Sequence, residues 1–204
     1  MTNILRQNQL YTYLLYCNGH GLEKKVLDCG AGGAQPPLAL FAENGYQTYG
    51  IELKEKQIEK ANNFADEHQL DLNITQGDLR QLPFEDDSFP YIYSYNTIFH
   101  MSKEEMAKAI QEIRRVLKTG GLCFVNFVST NDIRCGKGKK VGEGEYLQEE
   151  HGEEVMHCFF ETDEAEEYFD GFKIIYKEER IRHGFTRKGD KIRLGYIDYI
   201  IEKK

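Results

Sequence analysis

Residues 24 to 53 decide the fold. They read Lys24-Lys25-Val26-Leu27-Asp28-Cys29-Gly30-Ala31-Gly32-Gly33-Ala34, then a helical run that begins near Pro36 and ends near Asn44-Gly45, then Gln47-Thr48-Tyr49-Gly50-Ile51-Glu52-Leu53. A short apolar strand runs into a glycine-rich turn, the turn opens a helix, and a second strand ends in an acid. This is a βαβ unit of about 30 residues, suited to a nucleotide-like ligand. Gly30 and Gly32 have no Cβ, so bare backbone can turn sharply and approach a ligand closely. The free N–H groups of the following helix start favour carboxylates and phosphates. Pro36 and Pro37 suit that first turn, where a missing N–H costs nothing.

Glu52 lies 20 residues beyond Gly32, at the carboxyl end of the second strand. A carboxylate there can accept hydrogen bonds from both hydroxyls of a ribose. Two ligands compete, a nicotinamide dinucleotide and S-adenosylmethionine. The dinucleotide fingerprint G-x-G-x-x-G wants a third glycine at position 35, where Gln35 stands.

The stretch resembles instead the D-x-G-x-G-x-G motif of class I S-adenosylmethionine-dependent methyltransferases. Asp28, Gly30 and Gly32 match it, and Ala34 replaces the third glycine. Gly77-Asp78-Leu79-Arg80-Gln81-Leu82-Pro83-Phe84 resembles the G-D-x-x-x-L-P-F segment of the small-molecule members, and Arg114 to Val125 follows their R-R-V-L-K-x-G-G pattern. Asp78 ends a third strand beside the first two, where open α/β sheets bind ligands. Its carboxylate can accept from an adenine amino group, and the Leu79 N–H can donate to a ring nitrogen. The resemblance implies S-adenosylmethionine as cofactor, held by Asp28, Gly30, Ala31, Gly32, Glu52, Leu53, Asp78, Leu79 and Asn96.

The remaining pattern agrees with that fold. Strands are expected at about 25–29, 47–52, 72–75, 91–95, 122–128, 171–177 and 192–201, and helices at 4–17, 35–44, 55–68 and 103–117. In the second half of the chain, Ser102 caps the 103–117 helix and Gly120-Gly121 closes it. Residues 122–128 carry no charge, as a central parallel strand requires. The last two strands are joined without a helix, so they pair antiparallel. The expected architecture is α/β and Rossmann-like. It has seven mostly parallel strands in the order 3-2-1-4-5-7-6, the last antiparallel, with helices on both faces.

The chain of 204 residues suits one domain. Two segments stand apart from its core. Residues 1–20 are expected to form a helix that lids the cofactor through Tyr11, Tyr13 or Tyr16, or else packs on the domain edge. Residues 129–161, rich in glycine and charge, are expected as a loop covering the acceptor. The net charge of −8 argues against a duplex nucleic acid gripped by its phosphates. No apolar run approaches a membrane span, and Met1-Thr2-Asn3-Ile4-Leu5-Arg6 lacks a signal-peptide core. Five scattered cysteines without a Cys-x-x-Cys pair read as reduced thiols of a cytoplasmic protein, and no zinc spacing links them to His151 or His157.

The chemistry implied is methyl transfer from a sulfonium, an in-line displacement that relies on positioning and desolvation. An amine or thiol acceptor needs a base, and His100, just past the fourth strand, is the candidate. The N/D-P-P-Y/F motif of base-amino methylation would fall where Asn96-Thr97-Ile98-Phe99 stands, so a small-molecule acceptor is expected. A non-catalytic cofactor-binding protein and an NAD-dependent oxidoreductase stay as alternatives. The expected assembly is a monomer or homodimer.

Overall fold

The computed structural model describes residues 8–150, 152–185 and 189–204. The start of the expected lid (residues 1–7), His151, and Arg187 and Lys188 of the expected hairpin turn lie outside the described residues. The βαβ unit forms as read. β1 (Lys25–Cys29) lies parallel between β2 (Gln47–Glu52) and β4 (Phe89–Ser94), and β3 (Ile74–Gln76) flanks β2. β5 (Leu117–Ser129) runs parallel to β4. β10 (Lys191–Lys203) is antiparallel to β5, and β9 (Phe172–Phe185) is antiparallel to β10. Along these seven strands the order is β3-β2-β1-β4-β5-β10-β9, the expected 3-2-1-4-5-7-6.

Strand geometry explains how one sheet buries two faces. Successive side chains of β5 point to opposite sides. Cys123, Val125 and Phe127 join the layer under α4 (Lys103–Val116), with Met106, Ile110 and Ile113. Leu122 and Phe124 join the other layer, with α1 (Asn8–His20) and α2 (Leu38–Glu43). Each such side chain contributes roughly 1.5–3 kcal/mol when fully buried. α4 starts with a full capping box: the Ser102 hydroxyl accepts from the Glu105 N–H, and the Glu105 carboxylate accepts from the Ser102 N–H. It ends at Val116, and the chain turns directly into β5, so Gly120-Gly121 lies within that strand instead of closing the helix.

Three expectations are corrected. First, α1 is not a lid over the described residues it spans. Tyr13 is fully buried, with its hydroxyl 2.8 and 2.7 Å from the carbonyls of Ile92 and Leu122, and it accepts the Ile92 N–H. A tyrosine that satisfies strand backbone between β4 and β5 is pinned as core, because breaking it would strand buried polar groups. Tyr16 packs against Tyr176 on the same face. Second, α2 has six residues and begins at Leu38, well beyond Gly32, so its dipole adds little at the glycine turn. Third, residues 129–161 are not a structureless loop.

Those residues fold into an antiparallel meander of β6 (Lys139–Gly142), β7 (Glu145–Glu150) and β8 (Glu153–Phe160). β8 pairs parallel with the tip of β5, Val128 to Phe159 and Ser129 to Phe160. Val128 also pairs with Tyr196 of β10, so β8 must occupy the opposite edge. That is the edge β4 vacates after Ser94. The meander therefore stands directly beyond the carboxyl end of β4, seated by Phe99, Val128 and Phe159.

Candidate active site

The carboxyl ends of β1, β2, β3 and β4 open onto one cleft of about 920 Å³. Gly30, Glu52, Leu53, Asp78 and Leu79 border it from the first three strands, and Asn96, Thr97, His100 and Met101 from the segment after β4. Glu150, Glu153 and Met156 of the meander border it from across. A second, smaller cavity of about 320 Å³ lies on the α1 face, lined among others by Gln9, Phe124, Arg180 and Asp198.

The glycine turn is shaped by sterics on both sides. Gly30 has a φ of +120°, a conformation that side-chain-bearing residues avoid, and a Cβ there would overlap the Thr97 side chain. A Cβ on Gly32 would stand 2.7 Å from the Glu52 carboxylate and 2.6 Å from Gln57 Cβ. The Gly30 and Ala31 N–H groups both donate to the Ile51 carbonyl, folding the turn over β2. Gly30 reaches the cleft. Ala31 is buried beneath it, and Gly32 leans on Glu52 without bordering the cleft.

The acids take different positions. Glu52 gives one oxygen to the Lys54 N–H at 2.9 Å. Leu53 beside it is 57% exposed, an apolar surface at the cleft mouth. Asp28 does not reach the cleft: it is 1% exposed, its Oδ2 has no hydrogen-bond partner, and the nearby Tyr93 hydroxyl is also unpartnered. Burial pushes its carboxyl up to about 8, the Tyr93 hydroxyl opposes this, and the Glu52 charge adds to it. Asp78 borders the cleft but is engaged by Arg80, which donates through its backbone N–H, Nε and Nη2 at 2.6 to 3.1 Å. These bonds hold Asp78 below the usual carboxylate range. Arg80 also pairs with Glu105 of the α4 capping box, so one cation links the Asp78 turn to the start of α4.

At the far end, His100 Nδ1 lies 3.3 Å from the Met156 carbonyl and its ring meets His157 edge-on at 4.7 Å. The His100 side chain keeps an exposed edge on the cleft. Packing against the protein, then the neighbouring His157, lowers its pKa to about 4. Its ring is therefore neutral at physiological pH. His157 is fully buried, with Nε2 3.1 Å from a Glu150 oxygen in a geometry that makes no hydrogen bond. Among the described residues no cluster of three or more His, Cys, Asp or Glu is arranged to hold a metal ion.

Sequence reasoning missed Arg80, Thr97 and Met156. Arg80 had a local signal, an arginine two residues after an acid in a turn. Thr97 and Met156 had none, because Thr97 is placed by its contact with Gly30 and Met156 by a pairing between distant segments.

A methyltransferase-domain family model matches residues 27–125, close to half the chain. The chain is 34% identical over 112 residues to a sterol 24-C-methyltransferase of Schizosaccharomyces pombe, covering 54% of this chain and 29% of that protein. It is 30% identical over 99 residues to the 27-O-demethylrifamycin SV methyltransferase of Amycolatopsis mediterranei, covering 48% and 36%. The chain thus spans about a third of the length of these curated relatives. A solved S-adenosylmethionine-dependent methyltransferase from Methanosarcina mazei superimposes with a TM-score of 0.73 at 24% identity, over 92% of this chain and 96% of that one.

Proposed function

We propose, taking the chain's membership of the class I S-adenosylmethionine-dependent methyltransferase family as the premise, that it transfers a methyl group to a small-molecule acceptor bound in the cleft beside the cofactor. The observation that carries this reading is the continuity of the cleft. It runs from Glu52 and Leu53 past Gly30 and Asn96 to His100 and Met156, with room for a donor and a small acceptor together.

The residues present fit the cofactor. Gly30 brings bare backbone to the edge of the cleft, where its missing Cβ makes way for Thr97, and Glu52 keeps carboxylate lone pairs beyond the one given to Lys54. In this reading Glu52 accepts from the ribose hydroxyls. Leu53 and Leu79 offer apolar surface to the adenine. Asp78, oriented by Arg80, accepts from the adenine amino group with its remaining capacity. Asp28 acts from beneath, by holding the turn. When bound, the cofactor supplies a methyl on a sulfonium that carries its own leaving group. The chain's part is to align and dehydrate the site. His100 and Met156 wall the acceptor end, with His100 Nδ1 turned to the Met156 carbonyl. The 129–161 meander is read as the cover of that end. Among the described residues no helix is long and apolar enough to cross a membrane. The acidic charge and five free cysteines favour a cytoplasmic protein with no duplex nucleic acid partner.

Calorimetric titration with S-adenosylmethionine and, separately, NAD tests the reading on wild type and Glu52→Ala. S-adenosylmethionine alone should bind, and the variant should bind it ten- to a hundredfold more weakly, the loss of hydrogen bonds to a charged group at about 1.5–3 kcal/mol. Binding of NAD, or of neither, would overturn it. Cofactor consumption against a metabolite panel separates an enzyme from a cofactor-binding regulator.

A further inference from the structure

Asn126 is wholly buried on β5 and does not border the cleft. Its side chain makes two hydrogen bonds, both to Asn96. The Asn126 Oδ1 accepts the Asn96 backbone N–H at 2.8 Å, and the Asn126 Nδ2 donates to the Asn96 Oδ1 at 2.8 Å. Asn96 is one of the few non-glycine residues in left-handed backbone, with a φ of +55°. That conformation is costly for most residues, and asparagine tolerates it best when its amide is engaged locally.

The location gives this pair a purpose. The β4–β5 ladder ends at Ser94 and Val125. One residue later the Asn126 side chain takes over the role of a strand carbonyl, while β4 bends away in left-handed conformation. The bend delivers Thr97, whose hydroxyl donates to the Tyr95 carbonyl at 3.2 Å and whose side chain lies in the space a Gly30 Cβ would need. The wall of the cleft opposite the glycine turn is therefore set by a residue outside the cleft.

We propose that Asn126 is a positioning residue that fixes the Asn96–Thr97 wall against Gly30 and so sets the affinity of the cleft for S-adenosylmethionine. This rests on the cofactor reading above. The backbone of Asn126 stays in register with Asp198 of β10, so the side chain is held from a strand that is paired on that side.

The test is a double-mutant cycle read by calorimetry with S-adenosylmethionine and S-adenosylhomocysteine. Asn126→Ala should bind both roughly tenfold more weakly, the scale of one or two neutral hydrogen bonds. Asn96→Ala should weaken binding by a similar factor, and the double variant should be no weaker than the weaker single. Losses that multiply, or an Asn126→Ala affinity equal to wild type, would overturn the proposal. Amide hydrogen exchange supplies a readout that general destabilisation does not mimic. The Asn96 N–H should exchange slowly in wild type and fast in Asn126→Ala, while Ile92 and Phe124 stay protected. If Asn126→Ala does not fold, the wild-type exchange and Asn96→Ala decide. An unprotected Asn96 amide or an unchanged affinity sinks the idea. Failure of wild type to bind S-adenosylmethionine would instead remove the cofactor reading, and this proposal with it.

Discussion

Glu52 and Met156 border the same cleft, but the chain builds their two sides in different ways. The proposed donor side is one βαβ unit plus a strand: the glycine turn, Glu52 and Asp78 all come from residues 25–79 and sit on adjacent parallel strands. The opposite side comes from an antiparallel meander that begins 60 residues further on, at Lys139, and joins the sheet through two residue pairs at the tip of β5. Among the described residues one ion pair, between the exposed Lys54 and Glu153 at 3.1 Å, crosses from one side to the other. The donor side is thus over-determined by core packing beneath it. The meander leaves β6 and β7 partly exposed, and only the end of β8, Cys158, Phe159 and Phe160, is buried in the core.

The largest effect expected from that contrast is at Gly30. Gly30→Ala forces a Cβ into Thr97 at a backbone angle alanine avoids. Binding of S-adenosylmethionine should fall by more than about a hundredfold, or roughly 3 kcal/mol, in calorimetry with the far-ultraviolet circular dichroism unchanged. A variant that binds normally would show the donor side to be as adaptable as the meander.

A smaller effect concerns Asp28, beneath the same turn. Its folded pKa, about 8, is raised above its ordinary value near 4. An acid with a raised folded pKa binds its proton more tightly in the native than in the unfolded chain. Stability from this group is therefore greatest below about pH 4 and is lost progressively as pH rises towards 8. Asp28→Asn, permanently neutral, should raise the melting temperature by several degrees at pH 8 and by almost nothing at pH 4. Equal shifts at both pH values would show that Asp28 is charged in the native state.

The smallest effect expected is at the crossing itself. Lys54→Ala removes an ion pair between two exposed side chains, worth at most about 1 kcal/mol and screened by salt. Thermal stability and cofactor affinity should stay within error of wild type. A marked loss of cofactor affinity would mean that the two sides of the cleft close as one body.

Much of the donor side was legible because its signals are local. The glycine spacing, the acid after the second strand and the alternation of β2 each depend on residues within a turn or two of one another. The meander was not legible, although hairpin glycines stood at Gly144 and Gly152, both with positive φ. Its strands Lys139–Gly142 and Glu145–Glu150 are charged and half-exposed on both faces, so no period-two apolar pattern marks them. Tyr13 was left between a lid and edge packing for the opposite reason. Aromatic content on a helix says that something is covered, and only the carbonyls of Ile92 and Leu122 say what.

By itself the sequence determined the βαβ unit, the parallel core with its antiparallel ending, and the acids at the strand ends, since backbone sterics and hydrophobic period act between near neighbours along the chain. Tertiary structure alone decided three things: that Asp28 is buried under the cleft, that Asn126 holds Asn96, and that the meander stands beyond β4. Each of these is settled by burial, by an unpaired polar group or by a strand edge left open, and such conditions exist only once distant segments have packed together.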